Sequence, residues 1–546
     1  MLNSSGMVEN HENKLGPVVS VLIPTFNRRR YLPQALTSAL QQSYRNLQII
    51  VINDGGEDVS DIIYSFNDSR IIFINRKENR GKAFSLNEAL TKANGKYIAY
   101  LDDDDLYYPD HIEMLVNVLE NQTDCQVAYS DLYKVYCRVT QDGSRQVLSK
   151  IVEVSRDFDR FLMLYFNHAL HVSLMHRRDL LEKTGPYNEN LSILIDWDIT
   201  RRLAFFSDFH HLCEITGEFY GPVGECDRIS VQHRKDKNEY ARNLMAIRTT
   251  RPPKPWTKIN DMSVIFLADY LDNQAGKALG LIWRHTFYPY KVYLPLPQAD
   301  LNRINTDMPN LILVPVNPFS SQAERIDAAL EKCEGQYITI VPNNFPIDVM
   351  WVEDPLYALI NSSVSCEGIA LEGSTDQLWA AVLRKSDLLN ARRNFPNLPV
   401  QESLKAAGII VRRLRPEEIS FQFDHLLQQA QSAEKDGNWA AAARMFEYIA
   451  ENYQNDLWMK SLAAKASFKA GGHTRAAELS CEVNRRRPTV DTLLLEAKVH
   501  REKKDFNSAI RLLEKAKQIL GDPFCGFPNV KEAVREPFNA AKNWGL

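Results

Sequence analysis

The chain has 546 residues, of which 45% are hydrophobic and 25% charged, and a net charge of −4. That length allows about three domains of ordinary globular composition, and the charge excludes the basic footprint of a nucleic-acid-binding protein. Eight cysteines are scattered without a CxxC pair or a Cys/His cluster, which argues against structural zinc and a disulfide framework and for a reducing compartment.

Residues 1–16 are polar and read as a flexible tail without the apolar core of a signal peptide. No apolar run reaches the length of a membrane span, so the expected setting is the cytoplasm, with the inner-membrane surface as a peripheral station. Over residues 17–250 strand and helix patterns alternate. "VVSVLIP" and "LQIIVINDG" are continuous β-branched runs, as in strands covered on both faces, and "YLPQALTSALQQ" between them has helical spacing. "VSDIIYSF", "RIIFIN" and "NRGKAFSLNEALTKA" follow as helix, strand and helix, and then "KYIAYLDDDD". This order predicts an α/β domain with a mainly parallel sheet, whose ligands bind at the carboxyl ends of strands. Three strands end in polar residues there: Thr25 to Arg28, Asn53 to Gly56, and Asp102 to Asp105. Four adjacent carboxylates repel one another. One or two would serve a helix start at "YYPDHIEML", whereas four suggest a cation.

A proline-rich stretch, "TTRPPKPWTK", reads as a linker. Beyond it, residues 325–345 align without gaps on 85–105 at an offset of 240, and "LWAAVLRKSDLL" (378–389) echoes "LHVSLMHRRDLL" (170–181). Residues 255–420 are therefore expected to repeat the first fold, with Pro342-Asn343-Asn344-Phe345 replacing the four aspartates. From 423 to 546 the pattern is helical and alanine-rich. Trp439, His473 and Phe506 are spaced by 34 and 33 residues, and each is followed three residues later by an alanine: Ala442, Ala476 and Ala509. This resembles the tetratricopeptide repeat, whose aromatic and small residues pack the helices of each unit. It implies a groove for a protein partner.

"VSVLIPTFNRRRYLPQALTSALQQSYRNLQIIVINDG", "NRGKAFSLNEALTKANGKYIAYLDDDD" and "YPDHIEML" resemble, in order, the family 2 glycosyltransferases of GT-A fold, over about Val18 to Ser230. The resemblance implies an inverting enzyme that uses Mn²⁺ or Mg²⁺ and a nucleotide-diphosphate sugar, with UDP or dTDP favoured. Carried onto this chain, Asp104 and Asp102 hold the metal, the register being open by one residue, so that Asp103 and Asp105 stay in play. Pro24, Thr25, Asn27, Arg28, Asp54, Asn79, Gly81, Lys82, Asp102 and Asp103 would line the nucleotide-sugar pocket. Asp196, in "LIDWD", would be the general base, with Ile195 where the family has a glutamate. Trp197, Asp105 and His171 fall on the acceptor or sugar side. In "GEFYGPVGECDRISVQH", Tyr220 and Ser230 fit the family's closing segment, but Gly221 and Val223 stand where it has arginine and histidine, leaving His233 or Arg228 as substitutes.

The expected function is sugar transfer to a protein or glycan hydroxyl, as in the glycosylation of bacterial surface proteins such as flagellin or in surface-polysaccharide assembly. The alternative is a scaffold that works through its repeat groove and carries a vestigial sugar-nucleotide site.

Overall fold

The computed structural model describes residues 16–520 apart from 142, 153–154, 224–235, 303, 305–309, 372–377, 416–417, 419–421 and 453–456. Ser230, Arg228 and His233 therefore lie outside the described residues.

Two twisted sheets and a helical region make up the chain. The first sheet contains β1 (Val19–Thr25), β2 (Leu47–Asn53), β3 (Ile71–Asn75), β4 (Tyr97–Tyr100), β5 (Leu106–Tyr107), β6 (Cys125–Val139), β7 (Arg145–Ile151), β8 (Leu174–Arg177) and β9 (Asp208–Pro222), ordered β3-β2-β1-β4-β8-β6-β9-β5, with β7 paired to β6. β1 to β4 are parallel, and β1 and β2 are buried along almost their whole length, as their unbroken apolar runs require. Three helices pack this sheet close to the site: α1 (Leu32–Leu40), α2 (Lys82–Lys92) and α3 (His111–Asn121). α4 (Ile195–Leu203) carries the expected base, and α5 (Lys237–Thr249) closes the unit.

The second sheet contains β10 (Met262–Leu267), β11 (Tyr290–Pro297), β12 (Leu311–Val316), β13 (Tyr337–Pro342), β14 (Glu367–Ala370), β15 (Val382–Arg384) and β16 (Ile410–Arg413), ordered β12-β11-β10-β13-β15-β14-β16. Without β5 and β7, the first sheet has this same order. It also has the same strand directions: β4 and β13 pair antiparallel with β8 and β15, and β6 and β14 pair parallel with β9 and β16. A local device recurs as well. The Gly95 amide donates to Ser20 Oγ at 3.0 Å and the Gly335 amide to Ser263 Oγ at 3.1 Å, at the entrance of equivalent strands. The repeat read from the sequence is thus a repeat of topology. Its second echo is out of register by one, however. Arg177 pairs with Tyr97 and Arg384 with Tyr337, an offset of 207 where the aligned letters gave 208. The sheet partner, not the letter match, fixes the register.

One hydrophobic core runs through both units, from Leu22 and Ile50 through Trp197 and Phe205 to Val264, Trp351 and Leu414. Phe161 stacks on Tyr288 and Tyr165 tilts against Phe287 across the junction. Arg201, on α4 and fully buried, donates to the carbonyl of Thr250 at 3.0 Å.

The helical region comprises α6 (Gln422–Lys435), α7 (Trp439–Asn452), α8 (Leu457–Lys469), α9 (His473–Arg486), α10 (Val490–Glu502) and α11 (Phe506–Leu520), each packed on its neighbour in sequence. Trp439, His473 and Phe506 each open a helix, and Ala442, Ala476 and Ala509 are buried. The turn before each opening residue holds a left-handed backbone at Gly437, Gly471 and Lys504. The aromatic position is less buried than expected: Phe506 is half exposed, and His473 lies edge-on to Phe468 at the margin. The alanines let the helices approach, and the aromatics cover the rim.

This region docks on the first sheet through the turn between α9 and α10. Tyr133 on β6 donates to the Pro488 carbonyl at 2.7 Å, and Ser149 on β7 donates to Asp491 at 3.0 Å. Arg487 pairs with Asp131 of β6 and donates to Ser155. The other Asp131 oxygen is 2.8 Å from His211 Nε2, whose Nδ1 is 2.8 Å from Asp157. Burial would lower His211, but its hydrogen bonds to the two carboxylates outweigh that and raise it to about 9. Asp131, His211 and Cys213 have the residue types of a metal site. Arg487 already occupies one Asp131 oxygen, so the cluster is a charge latch.

Candidate active site

The carboxyl ends of β1, β2 and β4 converge, and the glycines of "NDGG" let their loops meet. A Cβ on Gly55, whose φ is +72°, would lie 2.3 Å from the Glu78 carbonyl carbon, and one on Gly56 would lie 2.7 Å from the Asn27 amide. Asn27, at φ 54°, takes the left-handed turn that asparagine tolerates, and its Oδ1 accepts from the Glu57 amide at 2.9 Å. Pro24 is half-buried, Thr25 buried, and Phe26 and Asn27 exposed at the rim.

Asp54 is 4% exposed, and its Oδ1 accepts from the Arg80 amide and from Arg76, both at 2.9 Å. It therefore ties the end of β2 to the loop before α2. Asn79 shapes that loop by accepting from the Gly81 amide at 3.1 Å, and Gly81 begins α2 at φ 91°. Of the two loop cations, Arg80 lies over the Phe84 ring at 3.4 Å, whereas Lys82 points inward and bonds Asp102 at 2.5 Å.

The four aspartates do not act alike. Asp102, Asp104 and Asp105 each offer a carboxylate oxygen, all within 4.8 Å of one another. Asp103 turns away towards Thr25 and Arg28. Burial, with the charges of Asp104 and Asp102, pushes it up to about 7. Asp105 is 2% exposed, and its Oδ1 accepts from the Tyr220 amide at 2.9 Å. The expected metal pair, Asp102 and Asp104, thus shares a point with Asp105, which the sequence had put on the acceptor side. Three oxygens of this kind suit a hard divalent cation that keeps water and phosphate as its other ligands.

Asp196 lies in the first turn of α4, half-buried, with Asn167 Nδ2 at 3.5 Å from its Oδ2. Lys82 joins it electrically to the acidic run. Burial pulls the ammonium down, but Asp102, Asp196 and Asp103 together hold it above its ordinary value.

Two expected acceptor-side residues face the core instead. Trp197 is 3% exposed and donates to the Met163 carbonyl at 2.8 Å, because the turn of α4 that exposes Asp196 aims the next residue inward. Neither face of its ring is open to stack on a sugar. His171 is buried beneath the site, stacked on Tyr100 with ring centroids 4.0 Å apart, and 2.9 Å from the Tyr187 hydroxyl. Burial, with Lys82 nearby, drives it down to about 3, so it is neutral.

One residue that the sequence did not single out stands in the site. Arg145, the first residue of β7, donates from Nη1 to the Asp104 carbonyl at 2.7 Å, with Nη2 3.7 Å from the Asp104 carboxylate. Its guanidinium lies between the rings of Tyr31 (3.7 Å) and Tyr220 (4.2 Å). Glu218 fixes Tyr220 by accepting from its hydroxyl at 2.9 Å, and also accepts from Tyr108 and Lys150. No local motif announces Arg145, since a hairpin delivers it from outside the acidic segment.

An α/β sheet of this topology, with loops meeting over an acidic strand end and a carboxylate on a facing helix, is GT-A-like. The Glycosyl transferase family 2 profile covers residues 20–183. A glycosyltransferase of Haemophilus influenzae is 31% identical over 190 residues, which are 33% of this chain and 71% of that protein. Another, of Rickettsia typhi, is 32% identical over 195 residues, 34% of this chain and 59% of its own length. This chain belongs to glycosyltransferase family 2. It spans less than two thirds of that second relative. Among solved structures, the mannosyltransferase PcManGT of Pyrobaculum calidifontis, in complex with GDP-Man and Mn²⁺, is 19% identical and aligns over 43% of this chain and 66% of that one. Its TM-score of 0.32 is too low to add to the argument. Among the described residues, no helix is long and apolar enough to cross a membrane.

Proposed function

We propose that residues 17–250 transfer a sugar, with inversion, from a nucleotide-diphosphate sugar to a hydroxyl of a protein or glycan. The observation that carries this is the convergence of Asp102, Asp104 and Asp105 at the end of β4, beneath the loops of Asp54 and Lys82 and in electrostatic contact with Asp196. Mn²⁺ or Mg²⁺, held by these three carboxylates, would neutralise the charge of the leaving diphosphate.

The chain's own residues do the rest. The Thr25–Arg28 and Asn53–Gly56 loops hold the nucleotide, and Asp54 keeps the wall of its pocket closed through Arg76 and Arg80. Lys82 holds Asp102 in place beside the donor. Asp196 takes the proton of the attacking hydroxyl at a carboxylate oxygen, and Asn167 orients that carboxylate. The second α/β unit, with Pro342 to Phe345 at the equivalent strand end, supports α4 through the shared core and has no acidic run of its own. The helical region, as tetratricopeptide-like repeats, presents a surface for a protein partner. This tilts the acceptor towards a protein, in surface-protein or surface-polysaccharide glycosylation.

A thermal-shift screen of UDP-, dTDP- and GDP-sugars, with and without Mn²⁺, tests the reading. A Mn²⁺-dependent rise in Tm for one donor class, lost in Asp104→Ala, is the expected result. No metal-dependent shift with any of the three classes refutes it.

A further inference from the structure

Arg145 is placed in an unusual way. Its side chain is 8% exposed, and both faces of the guanidinium are covered by Tyr31 and Tyr220. Ring stacking holds the plane without using any of its N–H groups. Nη1 reaches the Asp104 carbonyl, Nη2 stops 3.7 Å from the carboxylate, beyond hydrogen-bond length, and the buried Nε has no partner. A buried donor left unmade costs stability. Here the surroundings fix that donor in place: Tyr31 is tied to the hairpin through Gly143, and Tyr220 to Glu218. The planar fork is thus aimed along the edge of the acidic run and left incompletely paired.

A cation beside Asp104 also opposes a second cation on the same carboxylates. Metal binding there is strengthened when negative charge arrives with it. An oxyanion with two acceptor oxygens, set between the guanidinium and the acidic run, would meet both needs.

We propose that Arg145 is a diphosphate-binding residue of the donor site, which couples the arrival of the metal to that of the donor. The proposal rests on the reading of this pocket as a nucleotide-diphosphate-sugar site. Arg145 holds the diphosphate oxygens by its fork, and Tyr31 and Tyr220 are the walls that orient it. Without the anion, the same guanidinium keeps Asp104 in place and holds metal affinity down.

The test measures Mn²⁺ binding alone by electron paramagnetic resonance, and binding of UDP, dTDP, GDP and the matching monophosphates by calorimetry with and without Mn²⁺. Wild type, Arg145→Ala and Arg145→Lys are compared, with circular dichroism to check folding. In Arg145→Ala the diphosphate that wild type binds should weaken roughly 10- to 100-fold. The matching monophosphate should change less than about threefold, and Mn²⁺ alone should bind as tightly as in wild type or more so. Arg145→Lys, which keeps the charge but not the fork, should fall between. Unchanged diphosphate binding in Arg145→Ala overturns the assignment. So does a loss of Mn²⁺ affinity that matches the loss of diphosphate, since Arg145 would then only shape the acidic run. If wild type binds none of the three diphosphates, the donor-site reading itself falls, and this assignment with it.

Discussion

Replacing Asp131 with asparagine keeps the shape of the latch and removes the charge that both Arg487 and His211 face. The Arg487 side chain is 7% exposed and that of His211 3%, so solvent screens neither. Leaving a buried cation without its partner costs about 3–5 kcal/mol. The variant also changes how stability depends on pH. In the wild type, His211 holds its proton up to about pH 9, whereas an unfolded histidine releases it near 6.5. The folded value lies above the unfolded one. The contribution is therefore complete below about pH 6.5 and is lost as pH rises through 9. The gap corresponds to something on the order of 3 kcal/mol. Asp157 alone keeps only part of it in Asp131→Asn. Urea unfolding from pH 6 to 9.5, followed by hydrogen exchange at β6 and β9 so that this segment is read by itself, measures both effects. The expected result is a wild-type loss of stability between pH 7 and 9 that is markedly shallower in the variant. Equal pH slopes in the two proteins, or a flat wild-type profile, would refute the latch.

Asp196→Asn and Asp104→Ala should each abolish sugar transfer, measured as nucleotide release with acceptor, with circular dichroism to check that each still folds; retained activity in either would displace that residue from its role. Lys504→Gly should stabilise the helical region by up to about 1 kcal/mol, since lysine there holds a left-handed φ of 61° that glycine takes without a Cβ clash. A loss in thermal denaturation would mean that the Lys504 side chain makes a contact worth more than the strain. Gly95→Ala and Gly335→Ala should both destabilise, by roughly 1–3 kcal/mol, because the added Cβ would lie 2.6 Å from the Ser20 amide in one unit and 2.8 Å from the Ser263 amide in the other. Tolerance of alanine at either glycine would show that strand entry has slack.

What the sequence carried was whatever is local. β1 and β2 are unbroken apolar runs because both faces are covered, and the acidic run follows β4 directly. The second unit was legible at β13 because 21 consecutive positions hold one offset, 240, from 85 to 105. It slipped by one at β15, where the matched letters are not the positions that pair with equivalent residues of β4 and β13. Trp197 and His171 were expected on the acceptor or sugar side, but the direction in which each side chain points is set by helix phase and sheet packing, which a motif does not encode. Arg145 was illegible for a different reason. It reaches Asp104 across 41 positions, through a hairpin whose own residues carry no signature. Arg487 meets Asp131 across 356.

The β6–β7 ribbon gives the molecule a mechanical economy. Ser149 on β7 receives the helical region, and Arg145, four residues earlier and about 13 Å along the same strand, touches the acidic run. A load placed on the helical region is thus shared by the strand that carries the guanidinium. The helical region and the acidic run are far apart in sequence, yet about 13 Å of one strand ties the first to the second.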